Sequence, residues 1–296
     1  MSLTTWLLEK ASPSQTPFHA YRKRIRWTPK SQQRVNRWFA SRRQVFFVLS
    51  TGRTGSRWLA GLLNTCQNAS VFHEPIRWEQ WAHREAIEQP ESAESYIQQF
   101  RLKEIYLRVA GRPDERPVYG EVNGCLRRHA AAIASNLPQA VLLHVVRDGR
   151  DFVRSVCTRG TFAGAHPVYT GLRPPLDSEW PKDWSALSEF ERACWMWANE
   201  NSHLAAHVPT SLRFEDLVGS YEAFADGVLA PLQLDVPRAA WDAARTRPDN
   251  ASTGVQAPHW TEWTASQSDT FWSICGEQMK RYGYQGAKEE SLANAN

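Results

Sequence analysis

The segment "FFVLSTGRTGSRWLAGLLN", residues 46–64, constrains the fold more than any other stretch of the chain. Strand-type apolar residues lead into a Ser/Thr/Gly turn, and a segment with helical apolar spacing follows. Such a turn places unpaired backbone N–H groups and the positive end of a helix dipole at one point, where proteins commonly bind phosphate-like anions. The segment therefore predicts a strand, an anion-binding loop and a helix. The alternative is a strand-to-helix turn with nothing bound.

The chemistry of the loop excludes one familiar kind of phosphate site. A Walker loop, GxxxxGK[ST], uses its lysine for the outer phosphates and its hydroxyl for magnesium. In this chain Ser56 follows Gly55, and the loop contains no lysine. Hydrolysis of a nucleoside triphosphate is therefore disfavoured. The loop does offer tight backbone, hydroxyl groups and permanent cations for a phosphate-like group, from Gly52, Gly55, Thr54, Ser56, Arg53 and Arg57.

The rest of the chain predicts one α/β domain. Strand-type runs are expected at 44–50, 118–122, 140–146 and 210–214, and helical patterns at 56–66, 77–108, 124–136, 149–158, 186–207 and beyond 219. Apolar strands that alternate with helices are typical of a buried parallel sheet with helices on both faces. We expect a basic N-terminal arm at 1–43, a single domain at 44–286 and a polar tail at 287–296.

A second anion site is expected at "LLHVVRDGRDFVRSV", residues 142–156. A buried strand ends at Arg147, and Ser155 lies eight residues later on a helix, facing back toward the carboxyl end of the strand. Ligands of open α/β sheets bind at that edge. An arginine and a serine aimed at one point suit a dianionic phosphate. The alternative is a set of Arg–Asp salt bridges involving Asp148 and Asp151.

Taken together, the two stretches resemble the PAPS-dependent sulfotransferases, which transfer a sulfuryl group from 3′-phosphoadenosine 5′-phosphosulfate (PAPS) and release PAP. "GRTGSRW" resembles the 5′-phosphosulfate loop of that family, with Arg53 at its Lys/Arg position and Trp58 where many cytosolic members carry the Trp that stacks on adenine. "VVRDGRDFVRS" is similar to the 3′-phosphate motif, with Arg147 and Ser155 at its spacing.

Three further features match the family in order: a "WxxxN" at 197–201, "SLRFEDLV" at 211–218, and a C-terminal segment, 259–284, that ends in "M…GY". The resemblance covers about residues 44–286. It implies a P-loop-like sulfotransferase architecture, PAPS as the donor and no required metal. It also implies a donor site made of Arg53, Thr54, Gly55, Ser56, Arg57, Trp58, Arg147 and Ser155, with Arg53 also stabilising the charge that develops during transfer.

The acceptor needs a general base, and three residues are candidates. Cytosolic small-molecule members use a His on the segment before the 3′-phosphate strand, but "YGEVNGCL" has none. "NASVFHEPIRW", 68–78, instead resembles the Glu-containing segment of the carbohydrate and protein-tyrosine members, so Glu74 is the first candidate. His73 has a suitable unperturbed pKa. Glu121 is the third candidate, although it could be a core residue paired with a basic neighbour.

The acceptor itself is not specified by the sequence. The loops at about 77–115 and 159–184 match no known pattern, and His166, Tyr169, Trp180 and Trp184 are candidate pocket residues. The segment between Ala251 and His259 is expected to close over the donor. We expect a hydroxyl on a sugar, a glycolipid or a secondary metabolite. A protein tyrosine or an amine is an alternative, as are a nucleotide-dependent kinase and a binding module without activity.

Charge and cysteine usage bear on partners and compartment. Residues 1–43 hold ten Lys or Arg and one acid, a net charge of +9, so the remainder carries −5 within a total of +4. This arm predicts contact with an anionic surface such as a membrane, or else a solvated helix face whose Trp27, Trp38 and Phe39 pack on the domain. No nucleic-acid-binding motif accompanies it. Five scattered cysteines without metal spacing favour a reducing cytoplasm.

Overall fold

The computed structural model describes residues 28–163, 167–246 and 257–284. The strands are β1 (Gln44–Leu49), β2 (Ala69–His73), β3 (Val118–Val122), β4 (Val141–Val146) and β5 (Ser211–Arg213). The α-helices are α1 (Pro29–Ala40), α2 (Ser56–Leu63), α3 (Glu79–Glu88), α4 (Ser92–Tyr96), α5 (Leu102–Val109), α6 (Ala130–Asn136), α7 (Gly149–Thr158), α8 (Pro167–Thr170), α9 (Glu189–His207), α10 (Phe214–Gly219), α11 (Tyr221–Phe224), α12 (Ala230–Leu232), α13 (Arg238–Arg245) and α14 (Ala265–Arg281). The 3₁₀-helices are Gly124–His129, Trp184–Ala186 and Trp260–Glu262, and π-helical turns occupy Ile97–Arg101 and Ala225–Leu229.

The five strands form one parallel sheet in the order β2-β3-β1-β4-β5. Side chains alternate across β1: Val45, Phe47 and Leu49 enter one core, while Phe46 and Val48 enter the other. Helices α1, α5 and α6 cover the first face, and α2 with α10–α13 covers the second. A third apolar cluster joins α7, α9 and α14 beyond the sheet. The predicted α/β fold with one parallel sheet and flanking helices is confirmed.

The predicted helix at 77–108 is divided in the structure. Helix α3 ends at Glu88, and the next residue, Gln89, has φ −143° and ψ 81°. It precedes Pro90, and proline disfavours the α conformation in the residue before it. The chain then resumes as α4, the π turn and α5. As a result, α3 follows the end of β2 as a separate helix, and α5, which covers the sheet, begins only at Leu102.

The described part of the arm packs on the domain. Thr28 caps α1, whose Val35, Trp38 and Phe39 are buried. The Trp38 indole donates to Glu115 (2.8 Å), whereas the cations of α1 face solvent. The alternative of a helix with a solvated basic face, whose Trp38 and Phe39 pack on the domain, is therefore confirmed for α1. Contact of the arm with an anionic surface stays a prediction.

Several sequence predictions fall outside the described residues. These are the first part of the arm with Trp27, His166, most of the segment between Ala251 and His259, and the polar tail. Within the described ranges, no helix is long and apolar enough to cross a membrane. The five cysteines are free thiols.

Candidate active site

The loop after β1 has a left-handed backbone at three positions. Gly52 has φ 80°, Arg53 φ 57° and Gly55 φ 67°. Gly55 precedes the first residue of α2, and a Cβ there would collide with the ring of Phe214. The loop therefore requires glycine at this point both for its backbone and for the close approach of Phe214. Arg53 adopts a left-handed backbone conformation that L-residues other than glycine seldom adopt. Residues with such strained backbones are often found at functional sites.

The junctions after β1 and β4 meet at the carboxyl edge of the sheet, because these strands are parallel neighbours. Arg53 Nε donates to Ser155 Oγ on α7 (2.8 Å). Arg147 Nη1 donates to the Arg53 carbonyl oxygen (2.9 Å). The two sequence stretches that predict anion sites are thus in direct contact, through the Arg53 side chain on Ser155 and the Arg147 side chain on the Arg53 backbone.

The alternative of Arg–Asp salt bridges is also present in part. Asp148 caps α7 and is held by Arg150 (2.6 Å). Arg147 Nη2 lies 3.3 Å from Asp151 at the edge of the junction. The short ion pair therefore belongs to Arg150, whereas the contact of Arg147 with the partly exposed Asp151 carboxylate is longer. Its Nε is buried and has no hydrogen-bond partner within the described chain.

Sequence reasoning missed Arg159, the C-terminal cap of α7. The pKa of Arg53 is lowered to about 10 by burial, then by the positive charges of Arg159 and Arg147, and only Glu74 opposes the shift. Arg159 and Arg147 thus lie close enough to repel the charge of Arg53, and an anion bound beside Arg53 would relieve this repulsion. The sequence offers one partial signal, the position of Arg159 one helical turn beyond Ser155, but it does not show how α7 lies against the β1 loop.

Glu74 lies opposite this cluster, after the end of β2. Its φ of 39° is one of three positive values at non-glycine residues in the described ranges, and Arg53 is another. A Cβ on Gly124, which follows β3, would lie 3.2 Å from Glu74 Oε1 and 3.4 Å from the Gly52 nitrogen. The absence of a side chain at Gly124 therefore lets the carboxylate reach the β1 loop.

The other two candidate bases are engaged. His73 Nε2 lies 2.9 Å from Ser56 Oγ. Glu121 has no exposed surface and pairs with Arg101 (2.5 Å) and Arg108 (3.0 Å). These two cations lower the pKa of Glu121 against the opposing effect of burial. Glu121 is therefore the paired core residue of the alternative interpretation, and the expectation that it could face the site is wrong.

The three further family-like features all support the turn that carries Arg147. The Trp197 indole donates to the Arg147 carbonyl (3.0 Å). Glu215 accepts from the Asp148 N–H (3.0 Å) and from the Tyr284 hydroxyl (2.7 Å). Residues from α9, α10 and the C-terminal end of the described chain thus converge on two consecutive residues. Their role is to fix the direction in which Arg147 leaves the sheet.

Three other predicted donor-site residues differ in their surroundings. Thr54 is buried, and its hydroxyl has no partner in the described part of the chain. Arg57 is exposed on α2. Trp58 packs into the core against Phe214 and Phe224, with ring centroids 6.2 and 6.1 Å apart. Contact of Trp58 with adenine stays a prediction, for which 9% of the residue surface is open.

The candidate acceptor residues do not all reach the site. Trp180 and Trp184 are buried in the cluster around α7, α9 and α14, and a role of either residue in the acceptor pocket stays a prediction. Tyr169 hydrogen-bonds Arg127 and lies near Cys125, the residue after Gly124. Tyr169 therefore borders the region next to Glu74. No cluster of three or more His, Cys, Asp or Glu side chains suited to a metal occurs among the described residues.

Comparisons with known proteins show the family of the chain. The model of the family described as "Sulfotransferase family" matches residues 45–238. Two solved structures are similar: the sulfotransferase domain from the curacin biosynthetic pathway (14% identity, 82% of this chain and 98% of that chain, TM-score 0.44) and a sulfotransferase from Alicyclobacillus acidocaldarius (12% identity, 83% and 98%, TM-score 0.46). No curated protein sequence matches the chain significantly. Since the family model spans both anion junctions and most of the sheet, the chain belongs to the sulfotransferase family.

Proposed function

We propose that the protein transfers a sulfuryl group from PAPS to an acceptor hydroxyl and releases PAP. The contact between the two anion junctions is the observation that carries this proposal. A donor with a 5′-phosphosulfate and a 3′-phosphate needs two anion sites that reach one ligand, which neighbouring junctions at one edge of the sheet can supply. The loop at 52–58 would hold the phosphosulfate through Arg53, Thr54, Gly55, Ser56 and Arg57, and Arg147 with Ser155 would hold the 3′-phosphate.

The unsatisfied groups of the site support an anionic ligand. The buried Thr54 hydroxyl and the buried Nε of Arg147 have no partner within the described residues. Buried polar groups are nearly always hydrogen-bonded in functional complexes. Arg147 and Arg159 also repel the charge of Arg53. A bisphosphate would supply acceptors for these donors and negative charge for these cations, which neutral ligands could not do.

In the proposed reaction Glu74 takes the proton of the acceptor hydroxyl as its oxygen attacks sulfur. The bond between sulfur and the bridging oxygen breaks in line, and the electron pair stays on the departing phosphate of PAP. Arg53 and the backbone amides of the loop stabilise the negative charge that develops there, an effect that is commonly the largest in catalysis. In this proposal, side-chain cations and backbone amides of the chain stabilise the charge on the departing phosphate, and the reaction requires no metal ion.

Glu74 is the base that the geometry favours. It lies within the electrostatic reach of Arg53 and beside the backbone of the β1 loop. His73 is held through Nε2 by Ser56, and Glu121 is buried. A carboxylate at the end of β2 also approaches the segment after β3, where the cytosolic relatives place their His. The general base can therefore reach the same part of the site either from the end of β2 or from the segment after β3.

Incubation with isotopically labelled PAPS and a panel of acceptors, followed by mass spectrometry, tests the proposal. The panel should contain sugars, glycolipids, phenols, amines and tyrosine peptides, because the class of acceptor is open among these. We expect a sulfated hydroxyl product and PAP in equal amounts, formed in the presence of EDTA. Transfer from ATP with magnesium and none from PAPS would instead support a kinase. Tight PAP binding without transfer to any acceptor would support a binding module.

A further inference from the structure

Ser56 and His73 link the anion-binding loop to the segment that carries Glu74. Ser56 is the first residue of α2, and His73 is the last residue of β2. Ser56 Oγ and His73 Nε2 are 2.9 Å apart, a distance typical of a hydrogen bond, and both residues are partly buried. The contact spans 17 residues of sequence and joins the first residue of α2 to the last residue of β2. It therefore depends on the fold and not on a local turn.

The direction of this hydrogen bond depends on what Ser56 must bind. A serine hydroxyl has one proton to donate, and an imidazole nitrogen either donates or accepts according to its tautomer. A phosphosulfate or phosphate oxyanion only accepts. If Ser56 donates its proton to the anion, the short contact with His73 remains favourable only when His73 Nε2 carries a hydrogen. If Ser56 instead donates to His73, its lone pairs face the anion and repel it.

We infer that His73 is a positioning residue: it donates from Nε2–H to Ser56 Oγ and so directs the Ser56 proton toward the donor. This inference rests on the proposed function, since it takes the phosphosulfate to be the anion at the loop. It assigns His73 a role distinct from proton removal. The nitrogen that points to the loop is committed to Ser56, and the neighbouring Glu74 remains the base. One dipeptide thus serves both substrates, with His73 acting on the donor and Glu74 on the acceptor.

Substitution at His73 tests the inference through binding of PAP, which needs no acceptor. His73→Gln places an amide donor at about the position of Nε2, whereas His73→Phe keeps a ring without a donor. A neutral hydrogen bond contributes about 0.5–1.5 kcal/mol. We therefore expect a Kd for PAP, measured by calorimetry, about three- to tenfold higher in His73→Phe, and near the original value in His73→Gln.

A double-mutant cycle with Ser56→Ala separates this role from general support of β2. If His73 acts through Ser56, His73→Phe will weaken PAP binding little or not at all once Ser56 is alanine. Equal losses in both backgrounds would overturn the inference while leaving PAP binding, and hence the proposed function, intact. A wild-type protein that binds no PAP would instead remove the proposed function and this inference with it.

The tautomer of His73 can be measured directly in the wild-type protein, which avoids any question of misfolding. Nitrogen-15 NMR of the imidazole distinguishes a protonated Nε2 from an unprotonated one. We expect Nε2 to carry the proton in the complex saturated with PAP. A neutral ring protonated only at Nδ1 in that complex would show that Ser56 donates to His73, and would overturn the inference.

Discussion

Glu74 has a left-handed backbone conformation that a residue of its kind seldom adopts, and it points at the loop that carries Arg53. Replacement by Gln keeps the size and backbone of the residue but removes the proton acceptor. We expect Glu74→Gln to lower kcat by 10²–10⁴, the usual worth of a general base. PAP affinity should be unchanged or somewhat higher, because a negative charge near the anion site is lost. Labelled-PAPS kinetics and calorimetry measure the two effects.

The control for Glu74→Gln is Glu91→Gln, which makes the same chemical change at an exposed position before α4. Glu91→Gln should leave kcat and the Kd for PAP unchanged. If Glu74→Gln retained full turnover, Glu74 would not be the base, and the acceptor proton would have to leave by another route.

Gly124 permits the approach of Glu74 to the β1 loop. In Gly124→Ala the new methyl group would lie 3.2 Å from both Glu74 Oε1 and the Ser50 carbonyl oxygen, so one of them must move. We expect turnover to fall roughly tenfold or more, since small displacements of catalytic groups have large effects on rate. Gly61→Ala is the matched control, because a Cβ there meets nothing within 4 Å. Equal turnover in the two variants would contradict this role for Gly124.

The convergence of most of the proposed donor-site residues could be predicted from the sequence because their positions depend on local spacing. Arg147 and Ser155 are fixed by a strand end and the two helical turns after it, and they do converge with Arg53. Arg159 was missed because its proximity to Arg53 depends on how α7 lies against the β1 loop. Glu121 was uncertain for a related reason. A residue on a strand alternates between faces, but only the packing of Arg101 and Arg108 shows that its face is closed.

At the scale of the elements, Glu215 on α10 allows a test of the contacts that hold the turn after β4, which carries Arg147. Glu215→Ala would remove the acceptor of the Asp148 N–H and would leave the Tyr284 hydroxyl only the longer contact with the Val146 carbonyl oxygen (3.5 Å). A buried donor that loses its hydrogen-bond acceptor lowers the free energy of unfolding by about 1–3 kcal/mol. A kilocalorie corresponds to about 2–4 °C of Tm in a domain of roughly this size. We therefore expect a fall of several degrees by differential scanning calorimetry, together with weaker binding of PAP.

The neighbouring carboxylate supplies the control for this test. Asp216 is more than half exposed and makes only a 3.9 Å contact with Arg213. Asp216→Ala should change Tm and PAP affinity little, since exposed ion pairs contribute about 0–1 kcal/mol. Indistinguishable effects of the two substitutions would mean that the α10 contact does not support the turn.

The elements themselves were predicted well where an apolar run ends at a clear turn. Strands β1, β3, β4 and β5 lie at the expected positions within a residue or two, and α7 has the bounds expected of it. The segment at 77–108 was less predictable. Its apolar spacing continues through Pro90, so periodicity alone did not reveal that α3 ends before it. The local restriction that Pro90 imposes on Gln89 divides this pattern.

At the scale of the whole molecule, buried histidines should make stability depend on pH. The pKa values of His83 and His144 are lowered to about 4, and that of His129 to about 3, in each case chiefly by burial. The unfolded chain binds these protons near pH 6.5, whereas the folded protein does not. Stability is therefore fully present above about pH 6.5 and is lost as the pH falls toward 4. Calorimetry from pH 7.5 to 4.5 should show this decline.

His129 allows one part of this dependence to be removed. It has no exposed surface, and neither ring nitrogen has a hydrogen-bond partner among the described residues. His129→Leu should flatten the pH dependence and gain about 2 kcal/mol at pH 5 relative to its effect at pH 7.5. His207→Leu, at an exposed position on α9, should leave the curve unchanged. An equal slope in His129→Leu and wild type would refute the assignment.

The central claim is that the junctions after β1 and β4 bind the two ends of one adenosine bisphosphate. Calorimetric titration with PAP and with adenosine 5′-phosphate, both in EDTA, tests it most directly, since the two ligands differ only in the 3′-phosphate. We predict that PAP binds at least tenfold more tightly, and that Arg147→Ala abolishes most of this difference, because a hydrogen bond to a charged group contributes about 1.5–3 kcal/mol. Equal affinity of the wild-type protein for the two ligands would contradict the claim.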